Sequence, residues 1–343
     1  MNKEQNKIKF GCYIYQEGLE YEKIKQIVIE CEKLGFDSVW LKDNFGSWLN
    51  AYFSHRKKEE EGKEGGEEKW SEDYFLECWT TLSSLATITK RIRLGAVLVN
   101  LHRSPSLTAK MVSTLDVISN GRIDFGLSAG WHRSEIESYG LLYPSKASIR
   151  VEILEESIQI IKKMISKVEC EASFKGKYYS ITKAQCKPAP VQKPWPRLWI
   201  GGGGEKTLKL VAKYGDGWIY GLCTYNTYVR KASILNEYCG SINRDGEGGE
   251  VIKAWHGIIY ITDDAYEQVE IGQPKRFFAN KLTNSFWKNN LDLVITGTPE
   301  YIIKEMKRYI DIGVDYFIIH FIDLPSPRSL RLFAKYIMPH FLS

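Results

Sequence analysis

No apolar run in the chain approaches the roughly 18 residues of a membrane helix, and MNKEQNKIKF at the start lacks the apolar segment of a signal peptide. A cytoplasmic protein with no membrane partner is expected. No CxxC pair occurs; the seven cysteines are odd in number and widely spaced, which reads as reduced packing thiols. The six histidines show neither HxH nor HExxH spacing, so no metal centre is expected. Charge excess is small, +5 from 47 basic and 42 acidic residues, and no basic block is interleaved with aromatics, which sets nucleic acid aside. A GxSxG elbow, a Walker loop and a GxGxxG after the first strand are all missing.

What is present is a large apolar supply, 43% of 343 residues, with 20 Tyr, 10 Trp and 14 Phe. That suffices for a large core, and the aromatics suit either packing or a large pocket. The stretch from Arg91 to Tyr139 sets the pattern. Ile92 to Val99 is uncharged apart from Arg93 and reads as a strand buried on both faces. Ser104-Pro105 starts a helix, with an N-cap hydroxyl and proline at its first position. Ser119-Asn120-Gly121 turns the chain into a further strand, Ile123 to Leu127, which runs into Ser128-Ala129-Gly130-Trp131.

The same unit recurs. Strands are predicted at 9–15, 38–41, 197–200, 217–221, 251–261 and 316–321, with helical patterns between them. Eight strands, each followed by a helix, predict an α/β fold closed as a (β/α)8 TIM barrel with insertions, one domain over 1–343. Ala172 to Pro196 reads as an excursion outside the barrel. Arg56 to Lys69 is a polar, low-complexity insertion, and 262–290 a second one before the last βα unit.

In a barrel the chemistry sits at the C-terminal ends of the strands. Those ends offer Tyr15, Gln16 and Glu17, then Asp43, Asn44 and Trp48, then Val97 to Asn100, then Ser128, Gly130, Trp131 and His132, and at the last strand His320. Gly201-Gly202-Gly203-Gly204, followed by Thr207, stands at a helix start. It is either a bare turn or a phosphate cradle, since glycine lets an anion approach backbone N–H groups. Asp43 either caps its own loop or takes part in chemistry; Trp48 and Trp131 either pack or stack on a ring; His320 is either core or functional. With few acid–base groups at the strand ends, the pattern suits an enzyme whose cofactor carries the reaction.

The chain resembles the bacterial-luciferase-like superfamily of flavin- and deazaflavin-dependent oxidoreductases. The resemblance rests on LGFDSVWLKDNF at 34–45, ECWTTLSSLATITKRIRLGAVL at 77–98 and HRSPSLTAKMVSTLDVISNGRIDFGLSAGWHRSEIESYG at 102–140. It extends through FKGKYYS at 174–180, LWIGGGGEKTLKLVAKYGDGWI at 198–219 and ITGTPEYIIKEMKRYIDIGVDYFIIHF at 295–321. It implies a non-prolyl cis bond between Val97 and Leu98 against the cofactor ring, and a phosphate held by Gly201 to Gly204 with Thr207. It places Asn100, Trp131 and Ser134 beside the cofactor, and Asp43, Asn44 and Trp48 on the catalytic, substrate-facing side.

Two departures shape the expectation. Deazaflavin-dependent relatives often carry Asp-His where this chain has Asp43-Asn44, and Asn44 cannot shuttle a proton. Sugar-phosphate-oxidising relatives carry glutamate where this chain has Trp131. The Gly-Trp form resembles the branch of methylene-tetrahydromethanopterin reductase, which implies coenzyme F420, with FMN as the alternative. The implied activity is hydride transfer between deazaflavin C5 and a small organic substrate. The alternatives are an FMN-dependent monooxygenase served by a flavin reductase partner, and a non-catalytic flavin-binding protein. A homodimer is implied by analogy.

Overall fold

Tyr316–Phe321 is buried along its whole length, because one face of this strand looks into a barrel and the other into a ring of helices. The computed structural model describes residues 7–46, 75–166, 171–244, 249–262 and 293–342. The chain begins with Lys9–Ile14 (β1), Tyr21–Leu34 (α1) and Ser38–Lys42 (β2). Cys78–Ile88 (α2), Arg93–Val99 (β3), Pro105–Ile118 (α3) and Ile123–Ser128 (β4) follow. Arg133–Ser138 (α4) and Ala147–Ile165 (α5) lead to a hairpin, Ala172–Lys175 (β5) and Ser180–Ala184 (β6). Leu198–Gly201 (β7), Glu205–Tyr214 (α6), Gly217–Gly221 (β8), Tyr225–Ser241 (α7) and Ile252–Ile261 (β9) continue the alternation. Val294–Gly297 (β10), Pro299–Ile310 (α8), Tyr316–Phe321 (β11) and Arg328–Leu332 (α9) end it, with a π-helical turn at Phe333–Ile337 and Pro339–Leu342 (α10).

The parallel order β11-β1-β2-β3-β4-β7-β8-β9 closes on itself through β9–β11 and β8–β9, making the expected (β/α)8 barrel. Two features were not foreseen. β10 is a short extra strand that pairs with β9, and the predicted excursion after α5 holds the antiparallel β5–β6 hairpin, outside the barrel sheet. The cis bond implied between Val97 and Leu98 is also absent: the described cis bonds all precede prolines. β3 keeps its ladder instead, with Val97 in register with Gly126 and Leu98 with Leu127.

Side chains alternate across each strand, so two cores form. Cys12, Leu41, Leu94, Phe317 and Ile319 face the helices. Tyr13, Trp40, Trp199, Ala254, Tyr316 and Ile318 face the barrel axis. Trp40 and Trp199 meet edge to face at 5.6 Å, and Trp199 meets Tyr316 at 5.5 Å. Ser38 Oγ ties this plug together, accepting from Trp40 Nε1 at 2.7 Å and sharing a hydrogen bond of 2.5 Å with Tyr316 Oη. The plug fits because its neighbours are glycines. A Cβ on Gly95 would stand 2.5 Å from the Trp40 ring, and one on Gly217 would stand 2.2 Å from the Trp199 ring. Each fully buried ring of this size stabilises the fold by about 1.5–3 kcal/mol, and together they fill the barrel below its C-terminal mouth.

Helix starts follow their local chemistry. Ser104 Oγ accepts from Leu107 N at 3.4 Å with Pro105 at the first position of α3. Glu77 caps α2 through Trp79 N and Thr80 N. α6, like α1 and α5, begins with no side-chain cap, and its N-cap is Gly204.

Candidate active site

Above the plug the inward faces of seven strands leave a cavity of about 320 Å³. Its wall alternates with the strand pleat. Val97 and Val99 face it from β3, while Leu98 between them is turned into the helix layer. Ser128, Ala129, Gly130 and Trp131 close the β4 side, and Gly201, Gly202 and Thr207 the β7 side. Tyr13, Lys42, Ile219, Tyr220, Gly221, Leu222 and His256 complete it, beside Asp43 and Asn44 at the rim. Of the residues named from sequence, the cavity therefore gathers Asp43, Asn44, Val97, Val99, Ser128, Gly130, Trp131, Gly201, Gly202 and Thr207. Leu98, Asn100, Ser134, Gly203 and Gly204 lie outside its lining, and Trp48 falls outside the described residues, as does the 56–69 insertion. Of the 262–290 insertion only Thr262 is described.

Asp43 is buried and fully engaged. Arg103 grips both carboxylate oxygens at 2.8 Å, and Val99 N donates to Oδ2 at 2.8 Å. Burial alone would raise its pKa, but the hydrogen bonds and charges of the adjacent His102 and Arg103 outweigh that and hold it below the usual carboxylate range. Arg103 also reaches Glu77 at 2.7 Å, so one guanidinium joins β2, β3 and the start of α2. Asp43 is thus a locked anion that fixes the end of β3.

Asn44 is tied in the same manner. Its Nδ2 donates to Glu135 Oε2 at 2.8 Å, and Phe45 N donates to Oε1 at 2.7 Å. The Gly-Trp loop is clamped from outside: Arg150 Nε donates to Gly130 O at 3.0 Å, and Tyr143 Oη to Trp131 O at 3.0 Å. These contacts hold the rim at fixed spacing from the β3 wall.

The glycine turn has the makings of an anion cradle. α6 offers first-turn N–H groups with no side chain capping them, at the edge of the cavity. Gly202 adopts φ +123°, where side chains are strained, and a Cβ on Gly203 would stand 2.4 Å from the Tyr220 ring. Glu205, the acid in the first turn, is engaged by Tyr238 Oη at 2.8 Å.

In the cavity wall Tyr13 stacks on His256 at 4.3 Å, and Tyr15 lies against His320 at 4.0 Å. His320 Nδ1 lies 3.0 Å from Tyr13 O, and His256 Nε2 is buried with no hydrogen-bond partner among the described residues. Burial, with His320 and Lys42 nearby, pushes His256 down to about 3. Burial, against the raising pull of Tyr13 O, pushes His320 down to about 4. Both stay neutral in the fold, whereas the unfolded chain takes up protons near pH 6.5. Their effect on stability is absent above that pH and becomes destabilising as pH falls toward 4, by up to about 1.4 kcal/mol per pH unit for each histidine. Urea unfolding at pH 7 and pH 4.5 should therefore show a drop that narrows in His320→Gln; an unchanged drop would contradict the assignment.

A profile of the luciferase-like monooxygenase family matches residues 7–270. The chain belongs to this family. An F420-dependent glucose-6-phosphate dehydrogenase of Amycolatopsis mediterranei (strain U-32) is 24% identical over 97% of this chain and 98% of that protein. Pyrimidine monooxygenase RutA of Pseudomonas savastanoi pv. phaseolicola (strain 1448A / Race 6) is 31% identical over 59% of this chain and 50% of that protein. The chain spans about half the length of the pyrimidine monooxygenases it matches. Among solved structures, an F420-dependent secondary alcohol dehydrogenase bound to an F420-acetone adduct superposes with a TM-score of 0.75 at 20% identity, covering 96% of this chain and 98% of the other. The coenzyme F420-dependent tetrahydromethanopterin reductase from Methanopyrus kandleri gives 0.75 at 18% identity, covering 98% and 99%. The fold is that of the luciferase-like barrel, and the chain is an oxidoreductase of that family. Among the described residues no helix is long and apolar enough to cross a membrane, and no three potential ligands converge on a metal site.

Sequence reasoning missed Tyr13, Lys42 and His256. Lys42 directly precedes the loop at Asp43, and His256 is the lone histidine of an otherwise largely apolar strand; strand parity places both on the axis-facing side.

Proposed function

We propose that the protein is an F420-dependent oxidoreductase that moves a hydride between C5 of the deazaflavin and a small organic substrate. The observation that carries this reading is a single cavity that joins an apolar slot to an uncapped helix start. Such a site matches a cofactor with a flat ring and a phosphate. The choice of F420 is supported by the end-to-end sequence likeness to an F420-dependent dehydrogenase, where the pyrimidine monooxygenases match a part.

The residues present fit the group. A Cβ on Gly201 would stand 3.0 Å from Val97 Cγ1, so glycine keeps that wall open. Gly201 to Gly204 and Thr207 would hold the phosphate, with Val97, Val99 and Trp131 against the ring. When bound, F420 supplies the carbon that gives or takes the hydride. Leu98 supports the wall from behind, and Asn100 and Ser134 flank it without lining the cavity. Asp43 acts as a positioning anion, and Asn44 presents a neutral amide to the substrate side, where Trp48 is proposed by resemblance alone.

The FMN reading is favoured by the 31% identity to a pyrimidine monooxygenase, and it alone calls for a flavin reductase partner. Parallel titration with F420 and FMN, followed by cofactor fluorescence and ultrafiltration, separates the two. We expect F420 to bind at least tenfold tighter, about 1.4 kcal/mol, and Gly202→Ala to weaken it by a similar factor. Tighter FMN binding would overturn the deazaflavin reading.

A further inference from the structure

We infer that Lys42 exchanges the proton of the reaction, giving it to or taking it from the substrate heteroatom as the hydride moves at the neighbouring carbon. The inference rests on the reading above and supplies what that reading lacks, an acid–base group. Asn44 has no exchangeable proton of suitable pKa. Asp43 is locked by Arg103 and Val99, and the imidazoles of His256 and His320 are too weakly basic to cycle at neutral pH.

Geometry places Lys42 at the right level. It is the last residue of β2, on the face that looks into the barrel, and it is in register with Val97, the proposed wall behind the ring. Its backbone is pinned on both sides by one amide: Gln16 Oε1 accepts from Lys42 N at 2.8 Å, and Gln16 Nε2 donates to Lys42 O at 3.1 Å. The side chain lines the cavity, with Nζ 5.1 Å above the Tyr15 ring and 5.6 Å from the Phe75 ring.

The surroundings tune it. Burial disfavours the ammonium and takes its pKa well below that of a free lysine, while Glu17 after β1 and Glu135 on α4 pull it back up. His256 and His320, on β9 and β11, feel its charge in return. Burial makes the proton of this amine easier to lose, and the two acids make it easier to hold. In the oxidising direction Lys42 as the neutral amine would take the proton of the substrate X–H bond, bound F420 would supply the acceptor for the C–H hydride, and a C=X bond would form. In the reducing direction Lys42 as the ammonium would give its proton to X as the C=X pair moves to X, with bound reduced F420 supplying the hydride to the carbon. Bulk water restores the lysine.

Two measurements test this. The first is a pH titration of the Lys42 Nζ signal in full-length protein labelled with [15N]lysine, assigned by Lys42→Met, with and without F420. A midpoint well below 10.5 that moves when F420 binds supports the inference; an ordinary midpoint, insensitive to F420, overturns it. The second is turnover of a panel of small ketones, enones and imines with reduced F420. Lys42→Met, which keeps the packing, and Lys42→Arg, which keeps the charge, should both lose about 10²–10⁴-fold in kcat while binding F420 as the wild type does. Their pH profiles should lose the limb that the lysine supplies. Wild-type kcat in Lys42→Met would overturn the inference. Failure of the wild type to bind F420 would instead remove the cofactor reading, and the Nζ midpoint would still decide the state of Lys42.

Discussion

Asp43→Ala should lower the free energy of unfolding by about 3–5 kcal/mol, the range for removing one member of a buried ion pair. The side chains of Asp43 and Arg103 are 1% and 11% exposed. Without the carboxylate, Arg103 stays in place with Glu77 as its remaining acidic partner among the described residues. Val99 N, which donates to Asp43 Oδ2, would lose that acceptor, adding a cost of about 1–3 kcal/mol if it stays dry. Urea unfolding measures the loss. Glu77→Ala is the control: it removes the outer and more exposed partner together with the cap of α2, and should cost about 1–2 kcal/mol. A loss below 1 kcal/mol in Asp43→Ala would mean that the carboxylate is not the anchor described. The variant should also weaken cofactor binding, because the end of β3 beside the ring slot loses its tether.

The barrel was legible in the sequence because each strand is buried on both faces, so apolar runs mark them without help from alternation. The same property hid the interior. In YFIIHF or AWHGIIY, hydrophobicity does not say which side chains look at the axis; only register does. Val97 and Leu98 were named together for the cis bond that the resemblance implied, and the register separates them: Val97 lines the cavity and Leu98 packs under the helices. Lys42 followed a short apolar run and was passed over, although parity with Trp40 places it inside the barrel. His256 was missed for another reason. β9 runs for ten residues, so its cavity residue stands mid-strand, well before the end at Ile261. The glycine run, by contrast, stands where the sequence put it, at a strand-to-helix turn before α6, because that turn is local. The bond between Asn44 and Glu135 joins residues 91 apart and has no local signature. Neither does the reach of Arg103 to Asp43.

Gly217→Ala should destabilise the barrel by about 3 kcal/mol or more, at the upper end of overpacking costs. Its new Cβ would stand 2.2 Å from the Trp199 ring. A flexible neighbour would swing aside at little cost, but Trp199 is fully buried and held between Trp40 and Tyr316. Relief must therefore come from the backbone of β7 or β8, and β7 ends in the glycine turn at the cavity edge. The effect is thus expected at both ends of the barrel: lower stability in urea, and weaker F420 binding although no cavity residue has changed. Gly35→Ala is the contrast. Gly35 ends α1 at φ +84° with nothing within 4 Å of a new Cβ, so it carries backbone strain alone, about 1–2 kcal/mol, and should leave the cofactor untouched. Trp199→Leu combined with Gly217→Ala separates the two sources. If the clash is with the ring, the double variant will be more stable than the sum of the single losses by at least about 1 kcal/mol. Additive losses would place the cost in the β8 backbone itself and remove the plug as the element that sets the depth of the cavity.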